Sequence, residues 1–448
     1  MSDNMKTLIK KNRYLIIILL LLAIQQIFFI LKFPPVHETD TPSYAGPALS
    51  LINGGTIYSE IRTPGYPLFL SFFYGLFKTR AETLIVILQH FLGLVLWFLA
   101  LSFLKNKKEK IIFSALYFCD ILFNSYEHTI LPDFLFSFFL LLTAYFVKRA
   151  ADAEPERLSY LAAAGTCVAL AELLKPTLYL FPPFAIPFFY FFEKKWIKRI
   201  KSYAAFAIIP ILAVNICCFY NYGQTRHYDF VPFSSWHWGF SFINFIEIPE
   251  NSPIRPFFEE GLPGHRMDNQ ERQRVNGLIR DKIRAGGMSI YEINREYEKA
   301  FFLSVLRHPV LFGEKTLREL FHFYFNAHNQ YAKNYVKGLP FSVSSALSSG
   351  DYRGLLRKML YSMHPYYWLI FLLTLYYIFI NARPVIKNKN MPVIFIFFII
   401  VYLTSVTVLV CEGDARYRMP LQPFMLCMAA SVLSGIPEKT GRGKNKII

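Results

Sequence analysis

Residues 34–70 read PPVHETDTPSYAGPALSLINGGTIYSEIRTPGYPLFL. This stretch is polar, acidic and punctuated by Pro and Gly, and it directly follows an apolar stretch, so we expect a loop that leaves a membrane. Its centre is Asp40, which shares a short segment with His37 and Glu38. A helix-like pattern begins near Tyr44 and is closed by a Gly pair. The rest of the chain is expected to hold this loop against the membrane.

The composition indicates a polytopic membrane protein. Of the 448 residues, 54% are hydrophobic and 18% are aromatic, values that would be unusual for a soluble protein of this length. Since a transmembrane helix needs about 20 apolar residues, the sequence predicts an all-α fold with about ten transmembrane helices. The apolar stretches lie at roughly 14–33, 83–104, 111–125, 132–147, 158–174, 177–192, 203–220, 364–381, 391–411 and 419–436.

Basic residues in the connections indicate the orientation, because Lys and Arg of short loops stay on the cytoplasmic side. Basic clusters recur at every second connection if residues 111–147 form two spans instead of one long helix. They lie at the N-terminus, at 105–110, 148–157, 193–201 and 383–389, and in the C-terminal tail.

Both termini are then cytoplasmic and the loop 34–82 faces outward. We expect the chain in the plasma membrane, which in a bacterium is the inner membrane, with its site on the extracytoplasmic face. The net charge of +17 is explained by the topology, so no nucleic acid partner is expected.

The predicted organisation has three parts. Residues 1–221 form an N-terminal transmembrane module, residues 222–362 an extracytoplasmic helical segment, and residues 363–448 the last transmembrane helices and a short cytoplasmic tail. The aromatic stretch 230–245 is expected at the membrane interface.

The middle segment should be folded, because it carries helix start signals. Asp268 with Glu271, and Ser289 with Glu292, match N-capping signatures. They predict helices near 269–285 and 290–307, followed by a third that ends at about Asn326.

Ionisable residues gather at the outer ends of the predicted spans, where buried charge is costly and usually functional. Structural roles are open for several of them: Asp133 could stabilise a helix N-terminus, Glu172 could pair with Lys175, and His90 could be a hydrogen-bonded core residue. Together they indicate a polar, water-accessible cavity that faces outward. The residues are Asp120, His128, Asp133, Glu172, Lys175, Arg416 and Arg418.

Acids and cations within reach of acyl chains suit the chemistry of a polyprenyl-phosphate sugar. The phosphate needs Lys or Arg, the chain needs an apolar groove, and displacement at the anomeric carbon needs a carboxylate base. Asp40 is the candidate base, although it could instead cap the following helix. The candidate phosphate ligands are Lys175, Arg62, Arg416 and Arg418.

The motifs also resemble a known family. The first loop carries D-x3-Y-x3-A, a Gly pair and TPGYPLFL, which resembles the first outer loop of the GT-C superfamily of membrane glycosyltransferases. The nearest branch is that of the protein mannosyltransferases and lipid A aminoarabinose transferases. Three further stretches are similar to motifs of that branch: LPDFLFSFFLLL at 131–142, LLKPTLYL at 173–180 and ARYRMPLQPF at 415–424.

The resemblance implies roles for individual residues. Asp40 would be the catalytic base, Asp133 a second active-site carboxylate, and Lys175 with Arg416 or Arg418 the ligands of the donor phosphate. Adjacent acids are common in the family's first loop, whereas Thr39 separates Glu38 from Asp40 here, which leaves the catalytic role of Glu38 open.

Further side chains are expected to line the substrate cavity. These are Tyr44, Tyr66, His128, Glu172 and Tyr417. A divalent metal ion stays open, because Asp40, Glu38 and Asp133 could coordinate one or act without it.

The sequence thus predicts an inverting glycosyltransferase. It would move a sugar from a polyprenyl-phosphate donor to a hydroxyl of a lipid, glycan or protein on the outer face, as part of building a cell-envelope glycan. A transporter or flippase of lipid-linked intermediates is the alternative, but it would need polar residues at the bilayer midplane. A membrane scaffold would leave the acids of the first loop unexplained.

The alternation of basic connections predicts the accessibility of inserted tags. A tag at residue 108 or at the C-terminus should be protected from protease in intact spheroplasts, and a tag near residue 270 should be cleaved. Cleavage at 108 together with protection near 270 would reverse the orientation.

Overall fold

The computed structural model describes residues 3–231, 242–263, 267, 269–325, 363–410 and 415–435. Throughout these ranges the regular elements are helices, and the only β-type pairing is an isolated bridge between Val36 and Thr129. The all-α prediction is confirmed.

The N-terminal module contains eleven α-helices in the described ranges. They are α1 (Asp3–Lys32), α2 (Thr41–Ile52), α3 (Gly65–Phe77), α4 (Ala81–Leu101), α5 (Lys107–Cys119), α6 (Ile121–Glu127), α7 (Asp133–Asp152), α8 (Arg157–Leu174), α9 (Phe181–Phe184), α10 (Ile186–Phe192) and α11 (Trp196–Thr225). The middle segment has α12 (Arg255–Gly261), α13 (Asn269–Ala285), α14 (Ile290–Arg307) and α15 (Pro309–Phe325). The last part has α16 (His364–Lys387), α17 (Met391–Val410), α18 (Ala415–Arg418) and α19 (Gln422–Gly435).

Seven helical stretches of the described chain are long and apolar enough to cross a membrane, so the chain is an integral membrane protein. They are Arg13–Lys32, Gly65–Leu101, Asp133–Asp152, Arg157–Leu174, Trp196–Thr225, His364–Lys387 and Met391–Leu409. The count of about ten spans stays a prediction.

Three of the predicted spans are built from shorter helices, for a local reason in each case. In 111–125 the helix breaks at Asp120, whose carboxylate accepts a hydrogen bond from the Phe123 N–H (3.0 Å) and so caps α6. The span 177–192 is divided by its prolines, and 419–436 starts with a 3-10 turn around Pro420, because proline has no N–H for the helix ladder.

Residues 34–82, called the first outer loop after their predicted side of the membrane, are more helical than expected. Its first helix, α2, begins at Thr41 instead of near Tyr44, because Pro42 has a backbone angle that suits a first turn. Gly54 then leaves the helix with a positive φ of 81°, as the Gly pair predicted. The aromatic run forms α3, which continues through a 3-10 turn into α4.

The chain segment before Asp40 is fixed to the segment before α7. The Val36 N–H donates to the His128 carbonyl (3.1 Å), and the Ile130 N–H donates to the Val36 carbonyl (2.9 Å). The Thr41 hydroxyl also donates to the Ile130 carbonyl (3.1 Å). These bonds place the start of α2 beside the start of α7, which brings Asp40 close to Asp133.

The middle segment folds as predicted where it is described. Helices α13, α14 and α15 match the predicted ranges, and Ser289 with Glu292 forms a reciprocal capping box at the start of α14. An apolar core that includes Phe258, Ile279 and Ile293 joins α12, α13 and α14. Asp268 and most of the aromatic stretch 230–245 lie outside the described residues.

Candidate active site

Arg416 connects two carboxylates that are far apart in the sequence. Its Nε donates to Asp133 Oδ1 (3.0 Å) and its Nη2 donates to Asp133 Oδ2 (3.0 Å), a two-pronged contact. Its Nη1 donates to Asp40 Oδ2 (2.6 Å). One guanidinium therefore joins α18 to the start of α7 and to the first outer loop.

Lys175 is the second cation on Asp133. Its Nζ donates to Asp133 Oδ1 (2.6 Å), and both side chains are buried. Lys175 follows the last residue of α8 and is extended (φ −147°, ψ 130°), because the residue before a proline is disfavoured in the helical region. Pro176 thus ends α8 and directs the ammonium group toward the start of α7.

Arg62 is the second cation on Asp40. Its Nη2 lies 2.7 Å from Asp40 Oδ1, and its Nε donates to the Ser43 hydroxyl (2.7 Å). The guanidinium also stacks over the Tyr44 ring at 4.4 Å from the centroid. Asp40 is the most exposed member of the group, with 31% of its side chain accessible, whereas Asp133 is fully buried.

The cluster of Asp40, Asp133, Arg62, Lys175 and Arg416 carries three positive and two negative charges, a net charge of +1. Burial on its own would raise the pKa of Asp40, but the Arg416 and Arg62 guanidiniums outweigh burial and hold the pKa of this carboxyl well below its usual range. In this arrangement Asp40 is ionised and weakly basic.

Asp40 does not cap helix α2. Although it occupies the N-cap position, its side chain makes no capping hydrogen bond, and both of its oxygens are bonded to arginines. The capping role considered from the sequence is therefore wrong.

Three tyrosines predicted to line the cavity lie near the cluster. Tyr44 packs edge-on against Tyr66, with ring centroids 5.4 Å apart. The Tyr66 hydroxyl is buried and has no hydrogen-bond partner among the described residues. The Tyr417 ring lies 5.1 Å from Lys175 Nζ.

Arg418 is the predicted phosphate ligand that lies elsewhere. It is buried, and its Nη1 donates to the carbonyls of Phe323 (3.0 Å) and Tyr324 (2.6 Å). Its guanidinium also stacks over the Tyr367 ring at 4.7 Å. These contacts attach α18 to the end of α15, so the geometry favours a structural role for Arg418.

His128 belongs to a separate buried group instead of the cluster. Its Nε2 faces the Phe33 carbonyl (2.9 Å) and its Nδ1 faces His90 Nε2 (2.9 Å). His90 in turn contacts Gln26 and the buried Glu127. This group holds the exit of α1 against α4 and α6, so His90 is the hydrogen-bonded core residue considered above. The sequence reasoning missed Glu127, which carries no motif.

The pairing of Glu172 with Lys175, which the sequence left open as a structural alternative, is not formed. Lys175 bonds to Asp133, and neither oxygen of the buried Glu172 carboxylate has a hydrogen-bond partner among the described residues. Glu38 lies two residues before Asp40, with its backbone N–H bonded to the Thr41 hydroxyl (2.9 Å).

The described residues do not fit a divalent metal ion. They contain no group of three or more His, Cys, Asp or Glu side chains arranged to hold one. The two carboxylates that would serve as ligands, Asp40 and Asp133, are instead bonded by cations.

The fold and the cluster define a class: a polytopic membrane protein with a cationic, carboxylate-containing site where α7 begins and α8 ends. Residues 62–217 match the family described as dolichyl-phosphate-mannose-protein mannosyltransferase. This range includes Asp133 and Lys175. Over this range, which is about a third of the chain, the resemblance to the protein mannosyltransferase family is confirmed, and the match supports a membrane glycosyltransferase. Among curated protein sequences no match was found.

Two solved structures are similar in outline. The oligosaccharyltransferase of Archaeoglobus fulgidus is 12% identical, with a TM-score of 0.49, over 95% of this chain and 51% of its own. ArnT from Cupriavidus metallidurans, bound to undecaprenyl phosphate, is 12% identical, with a TM-score of 0.37, over 94% of this chain and 77% of its own. The chain thus spans about half the length of the archaeal enzyme. These similarities do not identify the donor or the acceptor of this chain.

The buried position of Asp133 predicts a large effect on stability. Asp133→Asn should lower the free energy of unfolding by about 3 to 5 kcal/mol, because it leaves Lys175 and Arg416 buried without the carboxylate they share. Thermal unfolding in detergent would measure this. The matched control is Asp152→Asn, at the exposed end of the same helix. Equal, small shifts in the two variants would contradict the buried ion-pair network.

Proposed function

We propose that this chain is an inverting glycosyltransferase that moves a sugar from a polyprenyl-phosphate donor to an acceptor hydroxyl on the extracytoplasmic face. The observation that carries the proposal is the position of Arg416 between Asp40 and Asp133, with Lys175 on the same carboxylate. A phosphate site and a candidate base are therefore in direct contact.

The charge of the cluster fits a phosphodiester. A sugar linked to a polyprenyl monophosphate carries one negative charge, which balances the net +1 of the five side chains. Lys175 and Arg416 are the proposed ligands, because Asp133 brings both cations together and each carries several hydrogen-bond donors. In the reaction they stabilise the charge that develops on the leaving phosphate.

The position of Arg416 also implies an order of events. Asp40 bonded to two arginines is a weak base, as its lowered pKa shows. A donor phosphate that draws Arg416 away from Asp40 removes one of these positive neighbours, so the pKa of the carboxyl rises toward the range useful for proton transfer. Donor binding thereby activates the base, and Asp40 is kept inactive while no donor is present.

The chemical step is a single displacement. The acceptor oxygen forms a bond to the anomeric carbon on the face opposite the phosphate, while the bond from that carbon to the phosphate oxygen breaks. The phosphate leaves with the electron pair, and the proton of the acceptor hydroxyl goes to Asp40. One displacement inverts the configuration of the anomeric carbon.

Asp40→Asn tests the base. Asn keeps the size and shape of the side chain but cannot take a proton at neutral pH, so turnover should fall by about 10²- to 10⁴-fold while donor binding persists. Transfer of label from a polyprenyl-phosphate sugar in membranes with matched expression would measure this. Glu38→Gln, two residues away with the same loss of charge, is the control and should be milder. Wild-type turnover of Asp40→Asn would refute the assignment.

Lys175→Met and Arg416→Gln test the phosphate site. Each variant removes a charge-assisted hydrogen bond worth about 1.5 to 3 kcal/mol, so the KM for the donor should rise about 10- to 150-fold. Donor titrations in the same assay give KM and kcat separately. Lys201→Met, which removes an exposed charge on α11, is the control. If the KM of both site variants stayed at the wild-type value, the phosphate would bind elsewhere and the flippase alternative would gain.

A further inference from the structure

A cleft of about 330 Å³ lies between the first outer loop and the middle segment. One wall comes from α2 and the turn that follows it, and the other from α13 and the start of α14. The Tyr58 hydroxyl lies 3.3 Å from the Tyr291 hydroxyl and joins the two walls. The volume falls at the lower end of the range for small-molecule sites, about 300 to 1,000 Å³. The lining includes Ser43, Ser59, Ile61, Arg280, Arg284 and Ile290.

The lining of the cleft contains two arginines of α13 and one acidic residue, Glu60, so its net charge is positive. This helix carries five basic and two acidic residues, and Arg280 and Arg284 lie one helical turn apart on the side that lines the cleft. Like charges at this spacing destabilise a helix, so an anion bound between them would relieve a local repulsion. A guanidinium also presents paired donors that match a carboxylate or a phosphate.

Each of the two arginines has a partner that is exchangeable. Arg280 bonds to the neighbouring Asp281 (2.7 Å), whose side chain is 63% exposed, and Arg284 bonds to Glu60 (3.2 Å), whose side chain is 35% exposed. Ion pairs in such exposed positions contribute little to stability, since solvent screens them. A ligand anion can replace either carboxylate at small cost.

The cleft is next to the proposed base. Ser43 lines the cleft, and its hydroxyl donates to the Asp40 carbonyl (2.6 Å) and accepts from Arg62 Nε (2.7 Å). Arg62 in turn bonds to the Asp40 carboxylate (2.7 Å). The proposed donor ligand Arg416 bonds to the other carboxylate oxygen of Asp40, Oδ2, whereas Arg62 bonds to Oδ1.

We propose that the cleft binds the acceptor, and that this acceptor is a sugar unit that carries an anionic group, either a carboxylate or a phosphate. Arg280 and Arg284 hold the anion, and Ile61 with Ile290 packs against the sugar. A hydroxyl at the Ser43 end then faces Asp40. This inference rests on the proposed transferase function and specifies its acceptor.

Binding of three small probes to the purified full-length protein tests the proposal. Equilibrium dialysis would compare glucuronate, glucose 6-phosphate and glucose at low salt, without any donor. We expect at least one anionic probe to bind about tenfold more tightly than glucose, because the charged group adds charge-assisted hydrogen bonds. Tighter binding of glucuronate would indicate a carboxylate on the acceptor, and tighter binding of glucose 6-phosphate a phosphate.

Three variants test whether Arg280 and Arg284 bind the anion. The double variant Arg280→Gln with Arg284→Gln should bind the anions no better than glucose, whereas Arg274→Gln, an exposed arginine of α13 away from the cleft lining, should bind them like the wild type. Glu60→Gln should tighten anion binding severalfold, because it removes the carboxylate that competes for Arg284. Loss of anion binding in Glu60→Gln would indicate a structural pair and overturn the proposal.

Two further results would also overturn it: equal binding of glucose and both anions to the wild type, or an anion preference that survives in the double variant. Failure of the transferase proposal is distinguishable, because the cleft does not use the donor ligands. Lys175→Met should leave anion binding unchanged while it impairs donor use.

Discussion

One guanidinium shared by two carboxylates is the constraint on which the rest of the site depends. Arg416 contacts Asp40 and Asp133, which precede it by 376 and 283 residues. Buried charges are tolerated only when they are paired and hydrogen-bonded, so this contact requires the first outer loop, the start of α7 and the short helix α18 to meet at one place. The backbone bonds between Val36 and the segment 128–130 serve the same purpose. The neighbouring prolines 132 and 176 set the direction of Asp133 and Lys175.

The same contact connects binding with chemistry. Among the five described side chains of the cluster, three cations face two carboxylates, and Asp40 is partly exposed. A phosphodiester supplies the missing negative charge and competes for Arg416. Hence one event, the arrival of the donor phosphate, can both fill the site and change the basicity of Asp40. The cleft proposed for the acceptor is lined by Ser43, whose hydroxyl bonds to the Asp40 carbonyl and to Arg62.

Much of this arrangement could be predicted from the sequence. Apolar length predicted the membrane class and the range of α8, and capping and Gly signatures predicted α13 and α14. The Gly pair predicted the end of α2, whose start lies three residues earlier than expected. The four motifs contain Asp40, Asp133, Lys175 and the alternatives Arg416 and Arg418, and all of these except Arg418 lie in one cluster. Their catalytic and binding roles stay proposals.

The remaining contacts could not be predicted from the sequence, because they depend on three-dimensional packing. Arg416 and Arg418 are two residues apart on a helical turn, so they point to different sides and only one can reach the cluster, but the sequence does not say which. The sequence offered Glu172 as a partner of Lys175, whereas the break at Pro176 directs Lys175 to Asp133. Glu127 belongs to no motif, and only its contacts with His90 and Tyr117 identify it as part of a buried polar group. No motif distinguishes Arg280 and Arg284 in the sequence, and only the packing of the first outer loop beside them forms the cleft.

A structure of the protein with bound undecaprenyl phosphate would test most directly whether Lys175 and Arg416 bind the donor phosphate and release Asp40. We expect the phosphate within hydrogen-bonding distance of Lys175 and Arg416. Arg416 should keep its two bonds to Asp133, and its Nη1 should no longer bond to Asp40. A phosphate bound away from both cations, with the Arg416 contact to Asp40 intact, would contradict the account.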